Sequence, residues 1–494
     1  MADMLPLYRA AQVRAMDRRA VEQLGIPSWE LMQRAGAAAW RLLRSAWPQA
    51  RRFGVACGPG NNGGDGYVLA RLARAEGFEV HVVTAPGGHP RRDPARRALA
   101  AWREAGGRVE AFDGLLPDVD VWVDAIYGIG LARAPSDAVR SLIERINASR
   151  RPVLALDVPS GLDADTGHAP GIVVEARLTL SFIAPKQGLY TGMARDVDGE
   201  VHVDRLDLPP IDTRVDPPSA WLVRDTDLSA WLAPRHANAH KGEHGHVLCV
   251  GGEVGMGGAV RLCAEAALRT GVGLASVATR SAGVAALVAA RPEAMTHAVE
   301  DAAALAPLLE RASVVAVGPG LGQGAWGQAL LGAAITSGKP LVLDADALNL
   351  LAAAPAPVPQ AILTPHPGEA GRLLGMATAA VQADRFAAAA ALAARYQAVV
   401  VLKGAGTVVA GPGRAPVVIG AGNPGMATGG MGDVLSGVVA ALLAQQLPPF
   451  EAAVAGALLH AAAGDAAARV DGERGLLPSD LFPHLRRLAN PAWA

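Results

Sequence analysis

The chain has 494 residues, and because single hydrophobic cores stop growing at roughly 250 to 300 residues, two domains are expected. Hydrophobic residues make up 51% and charged residues 18%, which excludes wholesale disorder. With 45 Lys+Arg against 46 Asp+Glu the net charge is -1, so there is no polybasic footprint for nucleic acid or an anionic membrane. Small molecules are the expected partners.

In chain order, the first segment soon reaches Arg9, Arg14, Asp17, Arg18 and Arg19, leaving no apolar stretch for a signal peptide. The three cysteines, Cys57, Cys249 and Cys263, are too few and too scattered for a disulfide framework or a zinc cluster. Apolar windows such as residues 281–290 lie between Arg280 and Arg291 and fall short of the roughly 20 residues of a membrane span. A cytoplasmic protein is expected. Short β-branched or aliphatic runs recur at 52–57, 119–126, 152–157, 246–250, 314–317, 340–343 and 398–402. Between many of them lie Ala/Leu-rich stretches with helical spacing, the alternation of largely parallel sheets covered by helices. Both halves therefore read as α/β. Paired prolines from Pro209-Pro210 to Pro217-Pro218 interrupt the pattern, which places a linker there and divides the chain into residues 1–215 and 220–494.

After the first of these runs comes Gly58-Pro59-Gly60-Asn61-Asn62-Gly63-Gly64-Asp65-Gly66, then a helical pattern. Glycines at a strand-to-helix turn let backbone N–H groups approach an anion, and the helix N-terminus favours negative charge. Two later strands end in Val123-Asp124-Ala125-Ile126-Tyr127-Gly128-Ile129-Gly130-Leu131 and in Leu156-Asp157-Val158-Pro159-Ser160-Gly161. In open α/β sheets ligands gather beyond the carboxyl ends of the strands, where Asn62, Asp124, Asp157 and Ser160 would converge.

These three segments resemble the signatures of the NAD(P)H-hydrate epimerase domain. The resemblance implies a Rossmann-like three-layer domain in which Asn61, Asn62, Gly63, Gly64 and Asp65, with Gly128, Ile129, Gly130, Leu131, Ala132, Arg133 and Ala134, hold the substrate. It implies that Asn62, Asp124 and Ser160 surround a potassium ion, for which oxygen-only ligands are suited. Asp157 is then similar to the residue that touches the hydrated nicotinamide and is the candidate for acid–base assistance. The stretch from Tyr8 to Gly36, with Gln12 and Asp17, resembles the same family's N-terminal helical segment.

In the second half, Gly251-Gly252 and Gly257-Gly258-Ala259 follow one strand, and Gly318-Pro319-Gly320-Leu321-Gly322 follows another, two close backbone approaches. Thr364-Pro365-His366-Pro367-Gly368-Glu369 presents His366 rigidly between prolines, a setting better suited to holding a ligand than to packing. Lys403-Gly404-Ala405-Gly406-Thr407 sets a cation and flexible backbone after an apolar run, as phosphate binding requires. In Gly429-Gly430-Met431-Gly432-Asp433 the glycines at a helix start create an anion hole, and the aspartate can handle a proton beside a bound phosphate. Asp344 reads equally well as a cap.

Together these segments resemble the ADP-dependent NAD(P)H-hydrate dehydratase branch of the ribokinase-like superfamily. The resemblance implies a ribokinase-like three-layer domain in which Ala259, Gly320, His366 and Asp433 contact the hydrated cofactor. Lys403, Gly404, Ala405, Gly406, Thr407 and Gly432 bind the adenine nucleotide, ADP or ATP, with magnesium, and Asp433 is catalytic. The expected chain repairs NADH hydrate and NADPH hydrate, epimerising them in one half and dehydrating the S form in the other, and assembles as a homo-oligomer. Two alternatives stay open at this point: a small-molecule kinase in the second half, and a non-catalytic nucleotide-binding module in the first.

Overall fold

The computed structural model describes residues 4–130 and 134–490. It comprises two compact units, one of residues Pro6–Ala220 and one running on from Trp221 and including Leu5. The strands in chain order are β1 (Leu5–Leu7), β2 (Arg52–Cys57), β3 (Glu79–Thr84), β4 (Val109–Ala111), β5 (Val121–Ala125), β6 (Val153–Leu156), β7 (Leu178–Phe182), β8 (Glu200–Asp204) and β9 (Ala220–Val223). Then follow β10 (His246–Val250), β11 (Leu274–Thr279), β12 (Met295–Ala298), β13 (Val314–Val317), β14 (Leu341–Leu343), β15 (Ala361–Leu363), β16 (Val399–Leu402), β17 (Val408–Ala410) and β18 (Val417–Ile419).

The first unit carries a seven-stranded sheet in the order β4-β3-β2-β5-β6-β7-β8, parallel throughout. Side chains of a strand alternate between the two faces, and here both faces are buried. Phe53, Val55, Val121 and Val123 join one apolar cluster with the helices Ala10–Glu22, Ser28–Ala46 and Asn61–Ala75. Ala56, Trp122 and Val153 join the other, beneath Val139, Leu142, Ile143 and Ile146 of the helix Asp137–Ala148. The result is three layers. Strand order reverses at β2, whose neighbours β3 and β5 lead away on either side, so a crevice opens where the β2 and β5 loops part.

The second unit is built on an eleven-stranded sheet in the order β1-β9-β18-β17-β16-β15-β14-β13-β10-β11-β12. Neighbours from β16 through β12 pair in parallel, whereas β17 runs antiparallel to both β16 and β18. The order reverses at β10, between β13 and β11. The helices Gly257–Arg269, Met431–Ala444 and Pro449–Asp471 bury their apolar sides in one cluster with alternate residues of the strands, among them Val247, Cys249, Ala316 and Val342. No helix among the described residues is long and apolar enough to cross a membrane.

Candidate active sites

In the first unit, β2 hands over through Gly58 and Pro59 to the helix Asn61–Ala75, whose N-cap Gly60 is extended. The turn is tight: a Cβ on Gly63 would stand 2.0 Å from the Gly58 carbonyl oxygen, so only glycine lets the first helical turn close on the strand end. Asn61, Asn62 and Asp65 line a cavity of about 570 Å³ together with Asp17, Gly128, Ile129, Gly130 and Asp157. Gly63 packs on Gly58 and Gly64 on Met32, beneath that wall rather than on it. Ala134 is exposed and off the wall, while Leu131, Ala132 and Arg133 lie outside the described residues.

Asp157 ends β6 in the left-handed region at φ 67°, a strained backbone of the kind found at functional sites. Its carboxylate accepts the Ile129 N–H at 3.1 Å and a short hydrogen bond from the Lys186 ammonium. Lys186 is fully buried and also donates to Ser181 Oγ at 3.0 Å and the Phe182 carbonyl at 2.7 Å. Burial pulls its pKa down and the charge of Asp157 works against that pull. This lysine escaped the sequence reading.

Asp124, wholly buried, accepts from the Ser160 N–H (2.7 Å), the Ser160 hydroxyl (2.6 Å) and the Ile126 N–H (3.2 Å). Burial lifts its carboxyl to about 6 in spite of those hydrogen bonds. The structure thus joins Asp124 and Ser160 directly. Asn62 lies in the first turn of the helix Asn61–Ala75, and both its amide atoms are buried without a hydrogen-bond partner among the described residues. A buried orphan amide costs on the order of 1–3 kcal/mol, so an oxygen-seeking ligand at that position is the natural complement.

In the second unit the ends of β14, β15 and β16 and the start of the helix Met431–Ala444 meet around Asp344, which was open to reading as a cap. It is buried, takes hydrogen bonds from Lys403 Nζ (2.9 Å) and Ser436 Oγ (2.9 Å), and is the hub of the cluster. Burial pushes its pKa up, but the charge of Lys403 and the hydrogen bonds of Lys403, Ser436 and Thr364 leave it below the ordinary value. Lys403 also lies 3.8 Å from Glu369, and its N–H binds the Pro365 carbonyl at 2.9 Å, joining the His366 loop to the Lys403 loop. His366 caps the helix Pro367–Leu374: its Nδ1 accepts the Gly368 N–H at 3.0 Å, and its own N–H donates to Glu369 Oε2 at 2.8 Å. Its Nε2 lies 3.5 Å from Glu369 Oε1, so both ring nitrogens face groups of the same helix start.

Asp433 occupies the first turn of the helix Met431–Ala444, after the N-cap Gly430. Burial first, and then the Asp344 carboxylate, push its carboxyl up to about 7 against the pull of Lys403. A Cβ on Gly432 would meet Lys403 Nζ at 3.1 Å, so Gly432, Lys403, Asp344 and Asp433 share one space. Ala259 and Gly320 meet at the neighbouring switch point, where the Glu253 N–H binds the Gly320 carbonyl at 2.7 Å. Asp346 ties that turn to the acid cluster by accepting the Gly322 N–H at 2.9 Å. Beneath the 403–407 loop, Arg385 is buried and donates to the carbonyls of Leu402 and Lys403, both at 3.2 Å. Thr407 Oγ1 closes the loop on the Gly404 carbonyl at 3.0 Å.

Two doubly wound α/β units, each with ionisable groups gathered beyond its strand ends, define a two-site enzyme of small molecules. Residues 28–188 match the family described as YjeF-related protein N-terminus, and residues 247–487 that described as NAD(P)H-hydrate dehydratase. The bifunctional NAD(P)H-hydrate repair enzyme Nnr of Escherichia coli (strain K12) is 48% identical over 495 residues, spanning 98% of this chain and 94% of its own. The enzyme of the same name from Coxiella burnetii is 49% identical over 498 residues, spanning 99% and 100%. Among solved structures, a ribokinase-like superfamily protein of Enterococcus faecalis V583 aligns with 55% of this chain and 96% of its own at 29% identity and a TM-score of 0.52. A protein of Streptococcus mutans aligns with 55% and 99% at 32% identity and a TM-score of 0.51. The chain belongs to the family of bifunctional NAD(P)H-hydrate repair enzymes. Its first half is the epimerase and its second half, with a ribokinase-like fold, the dehydratase.

Proposed function

We propose that the dehydratase half spends ADP or ATP to expel the ring hydroxyl of the S hydrate, with Asp433 as the base. The observation that carries this reading is the position of Asp433: in the first turn of a glycine-led helix, with its carboxyl raised to about 7 beside Lys403 and Asp344. A base poised near the working pH moves a proton most efficiently. Asp433 takes the hydroxyl proton as that oxygen bonds to the terminal phosphorus and the bond from phosphorus to the rest of the nucleotide breaks. Inorganic phosphate then leaves with the C–O electron pair as ring carbon five gives up a proton to solvent and the C–H electron pair forms the C=C bond, which restores the dihydronicotinamide. The backbone of Gly429 to Gly432 and the loop from Lys403 to Thr407 hold phosphate charge, and His366, Ala259 and Gly320 hold the hydrate; magnesium, bound with the nucleotide, would offset phosphate charge.

In the epimerase half, Asn62, Asp124 and Ser160 would hold a potassium ion, which supplies positive charge beside the bound substrate. The orphaned amide of Asn62 and the all-oxygen donor set support that assignment. Asp157 and the turns at 61–65 and 128–134 hold the hydrated nicotinamide. The reducing cytoplasm suits three thiols and this substrate, and a homo-oligomer is the assembly we would seek by light scattering.

The test is to incubate each separated epimer with the protein, with and without ADP or ATP, and follow the return of dihydronicotinamide absorbance. The S form should recover only with nucleotide, and the R form should follow it. Asp433→Asn should lose recovery by at least about a hundred-fold while epimer exchange persists. Recovery at the parental rate in that variant removes Asp433 as the base. Exchange at the parental rate in potassium-free Asp124→Ala removes the cation site.

A further inference from the structure

We propose that Asp17 is a second acid–base residue of the epimerase site, working with Asp157 to exchange the substrate hydroxyl by loss and re-addition of water. This rests on reading the cavity at Asn61, Asn62 and Asp157 as the epimerase site. Three aspartates enter that cavity from three elements: Asp17 from the helix Ala10–Glu22, Asp65 from the helix Asn61–Ala75 and Asp157 from the end of β6.

Their surroundings differ. Asp157 is tied to Lys186 and the Ile129 N–H. Asp17 and Asp65 accept no hydrogen bond and form no ion pair among the described residues. An unpartnered carboxylate in a confined cavity is costly, and the cost falls when it carries a proton. Burial, and then Asp157, raise Asp17, with Arg18 opposing, while burial, Asp157 and Asp17 raise Asp65 well above the ordinary value. The charged groups that face Asp17 are therefore Arg14 and Arg18 of its own helix, Asp65, and Asp157 with Lys186 behind it. Asp17 without a partner and Asp157 held by an ammonium and an N–H face one cavity in unlike surroundings, the arrangement of a paired acid and base.

Inversion at one carbon needs a group on each face. On one face Asp17 gives its proton to the oxygen on ring carbon six. The C–O electron pair leaves with that oxygen as water, and the ring-nitrogen lone pair becomes a C=N bond. On the other face a water oxygen bonds to carbon six, the C=N pair returns to nitrogen, and Asp157 takes the surplus proton. One water leaves, one enters and one proton passes from Asp17 to Asp157. The reverse turnover or solvent resets the pair.

The experiment follows epimer exchange by chromatography in the full-length protein, with dehydration of the S form as an internal control. In ¹⁸O-water the parent should take up one solvent oxygen per exchange, and its exchange should fall on the alkaline side as Asp17 loses its proton. Asp17→Asn should exchange at least about a hundred-fold more slowly with dehydration unchanged, and Asp17→Glu should recover part of the rate. Parental exchange in Asp17→Asn, or exchange that keeps the original oxygen, overturns the proposal. If Asp17→Asn melts below the parent, the oxygen label and the parent's alkaline limb still decide: an unlabelled product or a flat limb is fatal. Parental exchange in Asp157→Asn would instead overturn the reading of the cavity itself.

Discussion

Asp433 is held near 7 by burial and by Asp344, so its charge is set by a neighbour as much as by its own place on the helix. Dehydration should therefore fall as the pH drops through about 7, where Asp433 takes up the proton that stops it acting as a base. In Asp344→Asn the repelling carboxylate is gone and Lys403 loses its 2.9 Å partner, and both changes favour the Asp433 carboxylate. The acid limb of kcat against pH should move to lower pH in that variant, and an unmoved limb would detach the limb from Asp433. Lys186→Met poses a different question. Removing one member of a buried ion pair leaves the other uncompensated, at a cost of about 3–5 kcal/mol. Among the described residues the Asp157 carboxylate keeps only the Ile129 N–H, so exchange should collapse and chemical denaturation of the first unit should begin at lower urea, with dehydration retained. Asp124 and Asp157 were legible because each closes an apolar run that leads into a glycine-bearing turn, and Asp433 because glycines precede it at a helix start. Lys186 was not: it follows Ile183-Ala184-Pro185 with no acid beside it in sequence, and its partner lies 29 residues away. A lone lysine in an apolar loop was the one available signal.

At the scale of elements, the runs at 52–57, 246–250 and 314–317 are the strands β2, β10 and β13 to the residue, since a strand buried on both faces has no polar alternation to blur its ends. The short strands β17 and β18 went unread. Each has three residues, too few for any period to register, and their pairing depends on β16 and β9 rather than on their own pattern. The contact between the helices Gly257–Arg269 and Met431–Ala444 was equally invisible. A Cβ on Gly437 would stand 2.0 Å from the Cys263 carbonyl oxygen, so the two helix backbones touch there. Alanine gains roughly 1 kcal/mol of helix propensity over glycine, but overpacking a backbone that cannot yield costs about 1–3 kcal/mol or more. Gly437→Ala should thus destabilise the second unit and displace the helix that carries Asp433. Dehydration should fall several-fold at a temperature where exchange is untouched, and a parental melting curve with parental dehydration would show that the helices have room.

For the molecule as a whole, the two chemistries occupy separate units with separate cores, so one chain with a dead epimerase site should complement another with a dead dehydratase site. An equimolar mixture of Asp157→Asn and Asp433→Asn should return both epimers to the reduced cofactor at half the parental specific rate. A mixture that recovers only the S form would mean that the R form must be passed on within one chain. The first unit also ends its sheet at two unlike borders, the three-residue β4 and the longer β8, whose Glu200, His202 and Asp204 put an ionisable group at every second position. A second sheet seeking to extend the first by strand addition would meet too little ladder at one border and stacked charge at the other. A border of this kind keeps crowded, partly loosened copies from seeding insoluble aggregates.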